Sequence, residues 1–236
     1  MELAMTALAT IVKMKLNQEK TADGSISFFN QEFQESYHSR YGAYTEALEK
    51  HVQACRIKEL ALVSNELKIL DFCFGLGYNS AVAIIEALKV NPEIKIEITG
   101  LENDIEIIQE IAKIDFPAEM QVVMKDFAKL ADSLKVETRN YSLELLLDDA
   151  RVSIEKLEKN YYDAIFFDPF SPKVCPWLWE QDLVAKLVTK AKPGALISTY
   201  SSSRVAKDAF ANAGCKLFEG PKCGRRDGGV LAQKQA

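Results

Sequence analysis

The stretch KILDFCFGLGYNS, residues 68–80, decides the fold. Residues 68–74 are an apolar run of strand length, Gly75-Leu76-Gly77 is a turn, and residues 79–90 (NSAVAIIEALKV) carry apolar side chains at three and four spacing, closed by Asn91 and Pro92. Working outward, the same unit repeats. Strands are expected at 95–102, 141–147, 164–168 and 195–200, and helices at 104–114 with Asp104 as N-cap, 127–134, 152–159 and 181–191, the last ended by Pro193-Gly194. A tail adds a helix at 204–213, a strand at 216–219, a glycine-rich turn and a short strand at 230–232. Alternation of this kind makes a mostly parallel, seven-stranded Rossmann-like α/β sheet with helices on both faces. Ligands of such sheets sit beyond the carboxyl ends of the strands, where the strand order reverses.

The first 65 residues read differently. Residues 21–29 (TADGSISFF) pair an Asp-Gly turn signal with a β-rich run, which predicts a hairpin arm, and 44–63 is a candidate for one long helix. The expected division is an extension over 1–65 that covers the ligand site and a sheet domain over 66–236. Of the 236 residues 48% are hydrophobic and 27% charged, which supplies a real core and excludes whole-chain disorder. No apolar run reaches membrane-spanning length and no leader pattern opens the chain, so a cytoplasmic protein without a membrane partner is expected. Five scattered cysteines with no CxxC spacing predict separate thiols, with neither a disulfide framework nor a metal site. The net charge of −5 argues against indiscriminate nucleic-acid binding, but it is uneven: residues 59–200 carry −9 and residues 201–236 carry +4, so the C-terminal end can meet a phosphate backbone locally.

Glycines at the first turn allow close backbone approach to a ligand at a helix N-terminus. The third glycine of a dinucleotide fingerprint is missing, since the sequence reads GLGYNS, which disfavours NAD and favours S-adenosylmethionine. Glu102 ends the second strand, where a carboxylate can accept from both ribose hydroxyls. Asp149 has two compatible readings, an adenine contact and a plain helix N-cap. Asp168 tips the strand AIFFD and opens the turn DPFSP; apolar surroundings are expected to raise its proton affinity and suit it to take a proton from an ammonium. Trp177 and Trp179 either wall a base pocket or anchor a helix to the core. His38 and His51 stand isolated and read as structural or surface residues.

Residues 21–46, 70–79 (LDFCFGLGYN) and 164–179 (AIFFDPFSPKVCPWLW), with 193–201 and 224–232 in support, resemble the methyltransferase half of the bacterial MnmC family, and more closely the proteins that carry that half without its flavin oxidase domain. The resemblance implies a class I methyltransferase fold and N-methylation of the aminomethyl group of wobble 5-aminomethyl(-2-thio)uridine in tRNA, with S-adenosylmethionine as donor and neither FAD nor metal. It implies Asp168 as the catalytic group that orients and deprotonates the amine. Gly75, Gly77 and Asn79 would border the methionine part, Glu102 the ribose and Asp149 the adenine, with Glu46 and Tyr37 in the segment closing over the pocket. Phe170, Trp179, Arg225 and Arg226 are assigned to the substrate, the anticodon stem-loop, and no protein partner is evident. Departures are Cys73 in the glycine loop and Pro169 where relatives often have glycine. At 236 residues no FAD domain is expected, so on this resemblance the aminomethyl tRNA would be delivered by another route.

Two other classes compete. An aminopropyltransferase or small-amine N-methyltransferase suits the acidic balance but lacks a run of acidic residues around the fourth strand tip. A non-catalytic module that has kept the cofactor fold fits poorly with an intact Asp168, Glu102 and glycine loop.

Overall fold

The structure is a computed structural model and describes residues 16–223 and 228–235. It opens on a small antiparallel sheet of β1 (Leu16–Lys20), β2 (Ile26–Asn30) and β3 (Glu35–Ser36), with the expected Asp23-Gly24 turn between β1 and β2. The single helix expected over 44–63 is instead interrupted: α1 (Ala43–Glu46) runs into a π-helical stretch, Ala47–Gln53, and α2 (Ile57–Val63) begins after Arg56, which adopts a left-handed φ of 56°.

The main sheet follows. Its elements are β4 (Glu66–Phe72), α3 (Tyr78–Val90), β5 (Lys95–Glu102), α4 (Ile105–Glu110), α5 (Gln121–Phe127), α6 (Leu130–Ser133), β6 (Lys135–Glu137), β7 (Tyr141–Leu147), α7 (Ala150–Ser153), β8 (Tyr162–Phe167), α8 (Gln181–Lys190), β9 (Ala191–Thr199), α9 (Arg204–Asn212), β10 (Cys215–Glu219) and β11 (Val230–Lys234). The strand order is β10-β11-β9-β8-β4-β5-β7-β6. From β9 across to β7 every pairing is parallel, while β11 and β6 run antiparallel to their inner neighbours. The eighth strand is β6, three residues too short to show an alternating pattern in the sequence. Pro193 and Gly194 do not end α8. That helix stops at Lys190, and the pair lies within β9, where the pairing with β8 slips from Tyr162–Ala191 to Ala164–Leu196 and Gly194 takes a φ of 81°, a bulge that excuses the proline from the ladder.

Strand alternation distributes the core and, at the strand ends, the polar groups. On β4, Leu67 and Ile69 pack on the face covered by α3, and Leu70 and Phe72 on the opposite face with Trp179, α8 and α9. On β8, Ala164 and Phe166 share the α3 face, and Ile165 and Phe167 the other. Continuing the period of two puts Asp71 and Asp168 on the α3 face. Asp71, Phe166 and Ser198 stand side by side across β4, β8 and β9. The chain leaves β4 toward β5 on one side and returns to β8 on the other, so the strand order reverses at this point.

Because Arg56 is exposed and left-handed, its β-carbon is strained without any packing in return. Arg56→Gly is expected to stabilise the protein by about 0.5–1 kcal/mol, read as a raised midpoint in thermal or urea unfolding; a lowered midpoint would show that the side chain contributes more than the strain costs.

Candidate active site

A cavity of about 320 Å³ opens at the carboxyl ends of β4, β5 and β8, roofed by the segment between β2 and the π-helical stretch. Beneath it the turn after β4 is held in left-handed conformations, with φ of 67° at Cys73, 54° at Gly75 and 75° at Gly77. Gly77 is obligatory on two counts: a β-carbon there would be strained, and it would lie 2.6 Å from Cζ of Phe74. Cys73, the non-glycine member, carries the strain of a β-carbon in this region.

Glu102 fastens this turn. Its Oε2 accepts from the Gly75 N–H at 2.8 Å, and its Oε1 accepts from the N–H groups of Asn103 and Asp104 at 2.8 and 3.1 Å. Burial raises its proton affinity and these donors only partly offset that. A carboxylate has about four acceptor positions, so one remains on Oε2, and Glu102 lines the cavity. That open acceptor beside a backbone turn free of β-carbons fits a ribose hydroxyl of S-adenosylmethionine. Asp149 caps α7, accepting from the Arg151 N–H at 2.8 Å and pairing with the Arg151 guanidinium, which holds its carboxyl below the usual range; it also lines the cavity, so the capping reading is met and the adenine contact stays compatible with it.

The roof comes from the N-terminal segment. The Tyr37 ring lies 3.3 Å from where a Gly75 β-carbon would stand and meets Phe170 edge-on at 5.0 Å. Glu46 is buried, accepts from the Ser39 N–H at 2.7 Å and forms an ion pair with buried Lys50 at 2.6 Å, which ties the roof loop to the helical segment. Glu35 accepts from the Ser171 hydroxyl at 2.7 Å, clamping β3 to the turn after β8.

Asp168 faces the cavity with 17% of its side chain exposed. Asn79, expected beside the methionine part, donates its amide to Asp168 Oδ2 at 3.0 Å, and His51 Nε2 lies 3.4 Å from the same oxygen. The expectation that surroundings raise the proton affinity of Asp168 is overturned. Burial pushes that way, but the His51 charge and the hydrogen bonds from His51 and Asn79 carry the carboxyl down to about 2. Its neighbour Asp71 goes the other way. It is fully buried, its Oδ2 accepts from Ser80 at 2.6 Å, and desolvation, with the Asp168 charge adding, lifts it to about 7.

His51 is the group that residue-by-residue reading missed. It is 1% exposed, and the isolated-histidine reading gave no hint of its contact with Asp168. His38 also lines the cavity, its Nδ1 3.0 Å from Ser27 Oγ, with burial lowering its proton affinity. Trp179 does not line the cavity: it is 2% exposed, donates its indole N–H to the Phe170 carbonyl at 2.8 Å and packs against Phe167, so it anchors the substrate-side turn from behind. The aromatic wall is instead Phe33, Phe170 and Trp177, with Phe33 5.0 Å from Phe170 and 6.4 Å from Trp177. Arg225 and Arg226 lie outside the described residues.

A family model described as S-adenosyl-L-methionine-dependent methyltransferase matches residues 114–235, just over half of the chain. The chain belongs to the S-adenosyl-L-methionine-dependent methyltransferases. Among solved structures this methyltransferase is similar to MnmC2 from Aquifex aeolicus, with 29% identity, a TM-score of 0.84, and coverage of 96% of this chain and 72% of that one. It is 29% identical over 223 residues to an uncharacterised protein of Methanocaldococcus jannaschii, covering 91% of this chain and 58% of the relative. It is also 25% identical over 173 residues to the tRNA 5-methylaminomethyl-2-thiouridine biosynthesis bifunctional protein MnmC of Leptospira interrogans, covering 70% of this chain and 26% of that protein. The methyltransferase thus spans from a quarter to somewhat over half the length of these curated relatives. Among its described residues no helix is long and apolar enough to cross a membrane.

The opposite displacements of the two carboxyls predict two separate pH windows. The folded protein keeps a proton on Asp71 that the unfolded chain releases near pH 4, so stability falls as pH rises from about 4 to about 7, by on the order of 3–4 kcal/mol. Asp168 acts in reverse: the stability it contributes is present above pH 4 and is lost as pH falls from about 4 toward 2. Urea unfolding across pH 2–8 checks this, and Asp71→Asn should abolish the neutral-side decline while leaving the acid-side loss. A decline that persists in Asp71→Asn removes Asp71 as its source.

Proposed function

We propose that this methyltransferase N-methylates the aminomethyl group of wobble 5-aminomethyl(-2-thio)uridine in tRNA, giving 5-methylaminomethyl(-2-thio)uridine. The observation that carries the reading is Asp168: an ionised, desolvated carboxylate at the tip of β8, open to the cavity and across from the Gly75 turn. The kinship with MnmC2 and MnmC supports it.

S-adenosylmethionine, when bound, supplies an electrophilic methyl group on a positively charged sulfur. Glu102 would hold its ribose, the Gly75 and Gly77 turn the methionine part, and Asp149 the adenine, with Tyr37 and Glu46 closing the roof. Asp168 would accept a hydrogen bond from the incoming ammonium and aim its nitrogen at the methyl carbon. Orientation and loss of one proton are most of what this reaction needs from the protein. Phe170 and Trp177 would take the uracil ring between apolar faces, Trp177 being the more exposed at 36%. The excess of basic residues after position 200, Arg204, Lys207 and Lys222 among them, would grip phosphates of the anticodon stem-loop, and a tRNA substrate would suit a cytoplasmic protein.

Nucleoside mass spectrometry of tRNA carrying the aminomethyl group, incubated with the protein and S-adenosylmethionine, should show the gain of one CH₂ on the wobble base; gain on spermidine or putrescine instead would favour the small-amine reading. Asp168→Asn is expected to bind the donor normally and lose about 10²–10⁴-fold in turnover. Trp177→Ala should raise KM for tRNA by an amount matching about 1–3 kcal/mol of stacking and leave donor affinity unchanged; an unchanged KM would take Trp177 out of base recognition.

A further inference from the structure

Two residues of the cavity wall each keep a buried polar atom that no described residue satisfies. Asn30, the last residue of β2, is 1% exposed; its Oδ1 accepts from the N–H groups of Glu32 and Phe33 at 2.9 and 3.1 Å, which fixes the carboxamide and leaves Nδ2 without a hydrogen-bond partner. Asp104, the N-cap of α4, is 7% exposed; its Oδ1 accepts from the Glu106 N–H at 2.8 Å, and its Oδ2 has no partner. Buried polar groups are almost always paired, and here an unpaired donor and an unpaired acceptor both belong to residues that line the cavity. Tyr37 shows that they face the same place. Burial raises the proton affinity of its hydroxyl, the Glu102 and Asp104 charges add to that, and the Asn30 amide works against them from short of hydrogen-bond geometry. Asn30, Tyr37, Glu102 and Asp104 therefore converge on one end of the cavity.

We infer that the two ribose hydroxyls of S-adenosylmethionine are divided between two carboxylates, one hydroxyl going to Glu102 and the other to Asp104, with Asn30 donating to the oxygen of the second. The inference rests on the placement of the ribose at Glu102 given above. Its basis is a count of acceptors. Glu102 has one acceptor position left after the N–H groups of Gly75, Asn103 and Asp104, whereas the ribose diol brings two O–H donors. Asp104 stands two residues further along the same loop, and its own N–H is held by Glu102, so the two carboxylates are neighbours on the wall. A hydroxyl donates one hydrogen bond and accepts others, so a single O–H satisfies Asp104 Oδ2 and Asn30 Nδ2 together. The remaining carboxylates of the cavity are engaged elsewhere: Glu35 by Ser171, Glu46 by Lys50, Asp149 by Arg151 and Asp168 by Asn79. Because Asn30 belongs to the extension and Asp104 to the sheet domain, the second hydroxyl joins the two, and donor affinity depends on β2 being in place.

The test is the calorimetric Kd of S-adenosylhomocysteine and of its 2′-deoxy and 3′-deoxy analogues in the wild type, Asp104→Asn, Asn30→Asp and Glu102→Gln. Asparagine still caps α4, and aspartate still accepts from the Glu32 and Phe33 N–H groups, so both variants keep their structural contacts, which the unfolding midpoint without ligand checks. The wild type should bind each analogue about 10- to 100-fold more weakly than the parent compound. Asp104→Asn and Asn30→Asp should each bind the parent more weakly and no longer distinguish it from one analogue, the same one in both variants, while keeping the full penalty against the other. Glu102→Gln should show the complementary pattern. Full penalties against both analogues in Asp104→Asn or in Asn30→Asp would overturn the inference, as would a Glu102→Gln variant indifferent to both. The two levels separate cleanly: a wild type indifferent to both analogues removes the ribose from Glu102 itself, whereas a Glu102→Gln variant indifferent to both beside an Asp104→Asn that keeps both penalties sinks only the division of the diol.

Discussion

A carboxylate taken out of water must be compensated by charge and hydrogen bonds or else hold its proton, and two carboxyls brought to one crevice meet that demand in different ways. Asp71 and Asp168 lie on the same face at the ends of adjacent strands. Asp71, with Ser80 for company, stays protonated up to about neutral pH; Asp168, with Asn79 and His51, stays ionised. The pair cannot be exchanged, because only Asp168 lies past the last paired residue of its strand and opens on the cavity. One carboxyl becomes part of the scaffold, and the other becomes the charge that the cavity presents.

The compensation for Asp168 is drawn from two regions of the chain. Asn79 belongs to α3, directly after the glycine turn, and His51 belongs to the N-terminal extension. A catalytic crevice assembled this way is complete only when the extension is packed on the sheet. The ties that keep it there are an apolar seam, in which Ala47, Val52, Ile57 and Ala61 share a core with Leu67, Val82 and Ile84, and polar contacts at the rim, the Tyr78 hydroxyl donating to the Ile26 carbonyl and the Ser171 hydroxyl to Glu35. Glu102 does for the glycine turn what His51 and Asn79 do for Asp168, in the reverse sense. There a carboxylate organises backbone donors, and the left-handed Cys73 shows the strain tolerated to keep the turn in place.

What was legible in the sequence follows the range of the physics involved. Residues 95–102 and 141–147 match the strands to the residue, since their pattern is local, with Ile96 and Ile98, and Tyr141, Leu143 and Leu145, buried at every second position and more exposed side chains between them. Asp168, Glu102 and the glycine turn were legible because they terminate such runs. The break at Arg56 was hidden, as the apolar spacing continues across it, and β6 was hidden by its length. His51 could not be found from spacing: its partners Ser198 and Asp168 lie more than a hundred residues away, and it becomes visible only when the strand order brings β8 and β9 beneath the extension. The exchange between the two tryptophans has the same origin. Sequence places Trp177 and Trp179 two apart in one short turn, and only packing decides which of them faces the core.

The lining of the cavity also bears on the choice between the proposed nucleobase amine and a polyamine. The carboxylates around it are largely committed: Glu102 to backbone N–H groups, Asp149 to Arg151, Glu46 to Lys50 and Glu35 to Ser171. A flexible polyamine carries several ammonium groups and needs an anionic partner for each, whereas this site presents Asp168 beside the aromatic faces of Phe33, Phe170 and Trp177. Asp168 therefore stands beside a wall of mutually tilted aromatic rings, with Asp104 the other lining carboxylate that keeps an oxygen unpartnered. The turn after β8, which Trp179 holds from the core and Glu35 from the roof, carries both Asp168 and Phe170, so the charge and the aromatic wall depend on the same few contacts.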